Sequence, residues 1–310
     1  MAGRQVHRGG RGFSPSFSVD HPNILNSTTV SGVLASCGVA ECDSASELRG
    51  SAPAGEDISV SIGGVAIELG GLAAALAEAA RERYGEFLPE FRGGKLARPT
   101  STKLGVECAQ AEPMAGAEFR YRLNSSVIEI RGEQARFAGM QNVYELDSLL
   151  RILLSQVLVE QSGFLLHAAT VERDGRAYIF MGRSGAGKST VASLSPAQNV
   201  FTDEISLVRY RGEEWQAHGT PFWGEFRADG KNRSAALAGI YALVQAKQNR
   251  VEPLTRKRAI AELLGNAVFF SQERTQREML LETFSRLAAE VPVARLEFRK
   301  DASFWELVRQ

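Results

Sequence analysis

The chain has 310 residues, enough for one large hydrophobic core or two smaller ones, and 44% of its residues are hydrophobic. Its 36 basic and 36 acidic residues give a formal net charge of zero, which argues against a globally basic surface for nucleic acid or anionic lipid. No apolar run approaches the roughly 18 residues of a membrane span, and the arginine-containing N-terminus has no apolar region of the kind found in secretory signals. We therefore expect a cytoplasmic protein that binds neither nucleic acid nor membranes, with Cys37, Cys42 and Cys108 as free thiols.

The first half of the chain has the patterns of a small α+β lobe, 56–162. Residues 1–55 are rich in Gly, Ser and Asn without apolar periodicity, and we predict that they are largely disordered. Two alternating runs around Gly63-Gly64 predict a β-hairpin. Further elements follow in chain order: a helix at 72–88, a loop, a meander of strands in "FRYRL", "SVIEIRG" and "QARFAG", and a buried amphipathic helix at 143–162.

The second half, 163–310, alternates strands and helices. It opens with two apolar runs that flank Asp174-Gly175, one of the strongest short-range hairpin signals. The remaining predicted elements are a helix at 188–194, a strand at 199–212, a strand that runs into an aromatic-rich loop at 214–226, a strand at 240–248, helices at 255–269 and 276–291, a strand at 292–299 and a short helix at 303–308. The fold class is therefore predicted as mixed α/β, with a partly antiparallel sheet rather than a doubly wound one.

A glycine-rich turn lies between the second hairpin strand and the helix at 188–194. It matches the G-x-x-x-x-G-K-[ST] pattern without a mismatch, in the strand–turn–helix context that the pattern requires. Glycines let successive backbone N–H groups turn towards phosphate oxygens, while the lysine adds a positive charge and the following serine can hold Mg²⁺. The chain has no N-K-x-D guanine signature, so the predicted nucleotide is ATP. The predicted ATP-binding residues are Gly182, Arg183, Ser184, Gly185, Ala186, Gly187, Lys188, Ser189 and Thr190.

A histidine on the first hairpin strand is the next candidate. If Asp174-Gly175 is a two-residue turn, Arg173 pairs with Arg176, and the same register places His167 opposite Gly182, at the mouth of the glycine-rich loop. A histidine at this point can act on phosphate or substrate, or it can make a structural hydrogen bond. A one-residue change in the turn would move it to the other face of the strand.

Two adjacent acids in "FTDE" follow the loop closely. Asp203 and Glu204 lie 15 and 16 residues after Lys188, so a helix of about two turns and a short return can bring them back beside the loop. Phosphoryl transfer needs a carboxylate that binds the metal and a group that accepts the proton of the attacking hydroxyl. Neighbouring residues on a strand face opposite ways, so the two acids should differ in role unless the strand has ended.

The three segments "FLLHAATV", "GRSGAGKST" and "FTDE" together resemble the HPr kinase/phosphorylase family, whose nucleotide-binding fold is similar to that of ATP-type phosphoenolpyruvate carboxykinase. The resemblance covers roughly residues 160–300 and implies a catalytic lobe at 163–310. It implies that Lys188 and Ser189 bind phosphate and Mg²⁺, that Asp203 also binds the metal, that Glu204 is the catalytic base, and that His167 lies near the reacting phosphate. The family often has two Asp residues at the acidic pair, so the resemblance leaves open which of the two acids is the base.

The chain differs in two respects from the bifunctional HPr kinase/phosphorylases. The chain has "GTPFWGEF" at 219–226 where those enzymes have an E-I-R-G-x-G segment, and its first half differs from their N-terminal domain. It is more similar to the short HPr-kinase-like proteins found with peptide-modifying clusters, some of which phosphorylate a serine on a ribosomally made precursor such as a lasso peptide. Pro221, Phe222 and Trp223 would then form either a peptide-docking surface or a hydrophobic plug. Rings in the parent family also suggest a homo-oligomer by analogy.

The sequence thus predicts an ATP- and Mg²⁺-dependent kinase that acts on a serine of a peptide or small protein. Two alternatives stay open at this point. One is a non-catalytic ATP-binding regulatory or assembly module, and the other is a kinase of a small-molecule hydroxyl.

Overall fold

The computed structural model describes residues 55–89, 103–108, 114–123, 126–140, 142–224 and 230–308. These residues belong to a single compact unit of the chain. The predicted disorder at 1–55, apart from Gly55, lies outside the described residues, as do Cys37 and Cys42. Among the described helices, none combines the length and the apolar character needed to cross a membrane.

A six-stranded mixed sheet and two helices make up the first half. They are β1 (Glu56–Ile62), β2 (Val65–Leu72), α1 (Ala74–Tyr84), β3 (Lys103–Cys108), β4 (Phe119–Leu123), β5 (Ser126–Arg131), β6 (Gln134–Ala138) and α2 (Val143–Glu160), with sheet order β1-β2-β3-β6-β5-β4. The predicted hairpin, meander and helices are confirmed. Gly63 and Gly64 have φ of 56° and 83°, as the tight turn requires. α2 begins after Asn142, whose side chain accepts from the backbone N–H groups of Tyr144 and Glu145, each at 3.1 Å.

The strand β3 lies inside a segment that the sequence predicted as loop. It pairs in parallel with β2 on one edge and with β6 on the other. Parallel partners are remote along the chain, so local alternation and turn residues carry little information about them. The prediction of a loop is therefore wrong for 103–108.

The second half is built on a nine-stranded sheet. Its elements are β7 (Gly163–Arg173), β8 (Arg176–Met181), α3 (Lys188–Ser193), β9 (Val200–Thr202), β10 (Ile205–Arg211), β11 (Glu214–His218), β12 (Ser234–Gln245), β13 (Arg250–Pro253), α4 (Arg256–Asn266), β14 (Ala267–Val268), α5 (Arg274–Glu290), β15 (Val293–Phe298) and α6 (Trp305–Val308). The order is β11-β10-β7-β8-β12-β15-β13, and β9 and β14 also pair with β7. β12 runs parallel to β8 and β15, while the other pairs are antiparallel, which confirms the mixed α/β class.

The hairpin between β7 and β8 has the predicted register. Arg173 pairs with Arg176, and the ladder continues to Ala168 opposite Met181. Asp174 and Gly175 have φ of 54° and 77°, both positive as a two-residue hairpin turn of this kind requires. The strand predicted at 199–212, in contrast, is two strands. Asp203 and Glu204 separate β9 from β10. The pairing with β7 is interrupted at these two residues and resumes at Ile205.

The faces of β7 show how the sheet is covered. Leu166 and Ala168 belong to a hydrophobic cluster with α4 and α5 on one face. On the other face, Leu165 joins the cluster of α2 and the six-stranded sheet, whereas Val171 joins the cluster of α3 and α6. Strand alternation puts His167 on this second face, between the two clusters. The first cluster on that face is continuous across residue 162, and the division into domains at 56–162 and 163–310 stays a prediction.

Two buried basic side chains lie where β10 and β11 meet the β1–β2 turn. Arg209 is 4% exposed and donates from Nη1 to the Gly63 carbonyl oxygen at 2.5 Å. Burial, with the nearby charge of Arg211, lowers the pKa of Arg209 to about 10. Burial also lowers the pKa of His218 to about 3, with added repulsion from Arg209 and Arg211. His218 is therefore neutral in the folded protein at all ordinary pH values.

This burial predicts an acid-sensitive fold. Because the folded-state pKa of His218 lies below its unfolded value, the unfolded chain takes up a proton as the pH falls below about 6.5, while the folded chain does not. From about pH 7.5 to about pH 5, this residue should lower the free energy of unfolding by about 2 kcal/mol. Urea unfolding of the wild type and of His218→Leu at both pH values measures the difference, and equal losses in the two proteins would contradict it.

Candidate functional site

The glycine-rich loop joins β8 to α3, as predicted. Gly185 and Gly187 have φ of 77° and 115°, in the left-handed region. A Cβ added at Gly187 would lie 2.5 Å from Cζ of Phe298 at the end of β15, whereas one added at Gly185 would meet nothing within 4 Å. Gly187 is thus required both by its backbone conformation and by packing. Residues 183–185 are exposed, so their backbone faces solvent beside the sheet.

The lysine of the loop is buried inside its turn. Nζ of Lys188 donates to the carbonyl oxygens of Gly182 at 2.8 Å and Arg183 at 3.3 Å. From β12, the amide of Gln245 donates to the Gly185 carbonyl oxygen at 2.5 Å. The loop is therefore shaped by contacts from both α3 and the neighbouring parallel strand. Ser189 begins the first turn of α3 beside Lys188 and is half-buried.

Both edges of β7 change partner at the same level. On one edge β8 ends with Met181 opposite Ala168, and β14 takes over at Leu166. On the other edge β9 ends with Thr202 opposite Thr170, and β10 begins with Ile205 opposite His167. The loop leaves the sheet at the first change and the two acids lie at the second, so one strand separates them. Two strand spacings put their backbones about 10 Å apart.

His167 lies at this level, as the sequence predicted. The register places it one position beyond the pair Ala168–Met181, at the level of Gly182, and it pairs with Ile205 on the other edge. The residue is half-buried and lies on the face of the sheet that α3 covers. His167 thus lies between the loop and the acids, while its role at phosphate stays a prediction.

The break between β9 and β10 turns both acids towards one segment. Asp203 is 3% exposed, and its Oδ1 accepts from the Gly224 N–H at 2.9 Å. Glu204 is half-buried, and its carbonyl oxygen accepts from the Ala168 N–H at 2.9 Å. A Cβ added at Gly224 would lie 3.4 Å from Cβ of Glu204 and 3.5 Å from Oδ2 of Asp203. Residue 224 therefore borders both acidic side chains. Adjacent residues of a regular strand point to opposite faces, and these two can point to the same side because the strand has ended.

An arginine that the sequence did not point to also contacts Glu204. Nη2 of Arg151, in α2, donates to Oε2 of Glu204 at 3.1 Å, and its guanidinium lies 5.0 Å from the centroid of the Phe222 ring. The two ionic partners are 53 residues apart in sequence. A signal was present, because Asp147 and Arg151 are oppositely charged residues four positions apart in a helix that is mostly apolar.

The aromatic loop after β11 is a hydrophobic plug rather than a docking surface at its centre. Phe222 is completely buried in the cluster of α2 and the six-stranded sheet, and Pro221 is also buried. Trp223 is half-buried, with the guanidinium of Arg83 4.3 Å from its ring centroid. Of the two interpretations of this loop, the structure therefore supports the plug for Pro221 and Phe222.

The oxygen atoms of Asp203 and Ser189 can be compared with those of a typical Mg²⁺ site. Within the described residues, no group of three or more His, Cys, Asp or Glu side chains could hold a metal ion. Mg²⁺ commonly takes one or two carboxylates and completes its shell with phosphate and water oxygens. Asp203 and Ser189 supply a carboxylate and a hydroxyl, which are donor types that such a site uses, and their binding of Mg²⁺ stays a prediction.

The contrast between the two loop glycines generates a test of the loop geometry. Gly187→Ala should lower the free energy of unfolding by about 3 kcal/mol or more, because backbone strain and the Phe298 clash add together. Gly185→Ala should cost only about 1–2 kcal/mol, since its Cβ would point into open space and the strain stands alone. Urea unfolding measures both. Replacing Phe298 with Leu should recover part of the Gly187→Ala loss, and equal costs at the two glycines would contradict the packing.

The comparisons with known proteins bear on the same region. A family model described as "SynChlorMet cassette protein ScmC" matches residues 138–310, which include α2, β7, the loop and both acids. A search of curated proteins finds no match. Because the family model covers more than half of the chain, the protein belongs to the ScmC family of SynChlorMet cassette proteins.

Proposed function

We propose that this protein is an ATP- and Mg²⁺-dependent kinase that transfers the γ-phosphate to a serine hydroxyl of a peptide or small protein. The proposed nucleotide-binding lobe, 163–310, would be similar to that of HPr kinase, and it lies within the residues of the family match. We expect cytoplasmic action, no nucleic acid or membrane partner, and a homo-oligomer by analogy with the parent family.

One observation carries the proposal: the paired partner changes along β7. These changes put a complete phosphate-loop sequence at one edge of β7 and two carboxylates at the other edge, with His167 between them. A triphosphate held by the loop would extend over that strand towards the acids. A glycine turn that only caps a helix needs no carboxylates or histidine nearby. The combination of loop, acids and histidine therefore supports phosphoryl transfer over simple helix capping.

The proposed step uses these residues in distinct roles. The backbone N–H groups of 183–187, with Lys188, bind the phosphates, and Ser189 and Asp203 hold Mg²⁺, which would neutralise charge on the phosphate oxygens. The serine oxygen attacks Pγ while the bond from Pγ to the β–γ bridging oxygen breaks and ADP leaves. The hydroxyl proton passes to the carboxylate of Glu204. Glu204 is better exposed to an incoming hydroxyl than Asp203, which is buried.

A non-catalytic ATP-binding module remains the second candidate, and one contact favours it. Oε2 of Glu204 already accepts a hydrogen bond from Arg151, so this oxygen has a partner within the protein. The two candidates differ in what acidic substitutions do. In a kinase, Glu204→Gln strongly lowers turnover, whereas in a module it leaves the biological activity intact.

Removal of the lysine charge tests the loop. Purified protein, ATP and Mg²⁺ should add one phosphate to a serine-bearing peptide, detected by mass, and Lys188→Met should slow this by about 100-fold or more. Arg176→Met, on the exposed turn of the hairpin, is the matched control and should keep wild-type activity. Full activity in Lys188→Met would rule out the proposed loop role, and transfer to free serine but to no peptide would favour the small-molecule kinase.

Substitutions of the two acids should differ in their effect on the Mg²⁺ dependence of activity. Asp203→Asn should raise the Mg²⁺ concentration needed for half-maximal activity, because a metal-binding carboxylate becomes a neutral amide. Glu204→Gln should lower kcat by about 100-fold at unchanged Mg²⁺ dependence, because it removes the proton acceptor. Titration of initial rates with Mg²⁺ measures both, and the opposite pattern would exchange the two roles.

A further inference from the structure

Helix α2 carries two charged side chains connected to the segment that borders the acids, Arg151 directly and Asp147 through Arg83. Asp147 and Arg151 lie one helical turn apart. Asp147 accepts from Nε of Arg83, at 2.8 and 2.9 Å to its two oxygens, and from the Tyr84 hydroxyl at 2.9 Å. Arg83 in turn covers Trp223. One turn later, Arg151 covers Phe222 and binds Glu204. We call Arg83, Asp147, Arg151, Phe222 and Trp223 the arginine–aromatic cluster.

Arg151 is held more firmly than a surface arginine. Its side chain is 22% exposed and that of Glu204 is 29% exposed, so both charges are partly removed from water. The helix that carries it is anchored in the core by Leu149, Leu150, Leu153 and Leu154, all of them buried. Phe222 beneath the guanidinium is completely buried. The position of the guanidinium is therefore set by the core rather than by a flexible chain.

The contact leaves two atoms with unused hydrogen-bonding capacity. Nε of Arg151 is buried and finds no hydrogen-bond partner in the described part of the chain. A buried donor without a partner costs stability, and each such exception calls for an explanation. On the carboxylate, Arg151 binds Oε2, and among the described residues no hydrogen bond to Oε1 is found. One oxygen of Glu204 is fixed, and the other is available to a further donor.

From this geometry we infer that Arg151 is a positioning residue for Glu204: it fixes Oε2 so that Oε1 accepts the proton of the substrate hydroxyl. The inference rests on the proposed kinase function. Arg151 acts only through its hydrogen bond to Oε2 and exchanges no proton in the step. The proton moves from the serine oxygen to Oε1, and the bond changes at phosphorus are those given above. Helix α2 thereby supplies part of the site from the first half of the chain.

The test is a double-mutant cycle on phosphate transfer, made with the full chain. Arg151→Met keeps an unbranched stem over Phe222 and removes the hydrogen bond to Glu204. It should lower kcat by about 10–100-fold, with ATP affinity within about twofold of the wild type. In the Glu204→Gln background the same substitution should change kcat by less than about twofold, because the residue acts through that carboxylate. Free guanidinium ion should restore part of the activity of Arg151→Met.

Other outcomes overturn the inference in distinguishable ways. An equal loss of kcat in both backgrounds would mean that Arg151 acts on substrate or on the fold rather than through Glu204. An unchanged kcat would also reject it. Should Arg151→Met fail to fold, as judged by thermal melting, Arg151→Lys gives the second arm, with a smaller loss that again vanishes in Glu204→Gln. If the wild type neither transfers phosphate nor releases ADP, the proposed function itself fails, and the inference falls with it.

Discussion

The backbone hydrogen bonding of β7 on both of its edges is the constraint on which the site depends. Each edge is shared by two partners, β14 and β8 on one side and β10 and β9 on the other. A strand can change partner only where the departing chain leaves the sheet, and both changes fall near His167 and Ala168. The departing segments are the glycine-rich loop and the two acids. Their proximity therefore follows from the ladder itself and needs no contact between their side chains.

Side-chain contacts fix the two acids further, in addition to the backbone pairing of β7. Gly224 donates to Asp203, and Arg151 donates to Glu204, so each acid is held from outside its own strand. Both of these contacts depend on the segment 220–224, which is anchored because Phe222 is buried beneath α2. Thr220 supports the same segment by donating to the carbonyl oxygen of Ile205 at 2.6 Å. The aromatic plug thus has a structural purpose, as it holds the backbone that borders both carboxylates.

This arrangement also ties the first half of the chain to the chemistry proposed for the second. α2 follows the six-stranded sheet in sequence and packs in the same hydrophobic cluster, yet its Arg151 contacts Glu204 and the aromatic loop. The family match begins at residue 138, just before this helix, and so includes it with the loop and the acids. The arginine–aromatic cluster thus connects the core of the first half to Glu204.

Local sequence determined the glycine-rich loop, the hairpin turn at Asp174-Gly175 and hence the register of His167, because each depends on backbone conformations that few residues allow. It also determined most helices, through apolar periodicity. Only the tertiary structure decided that β3 is a strand, that the predicted strand at 199–212 breaks at the acids, that Phe222 is buried, and that Arg151 meets Glu204. Each of these depends on partners far away in the chain, and neither periodicity nor turn chemistry carries information across such distances.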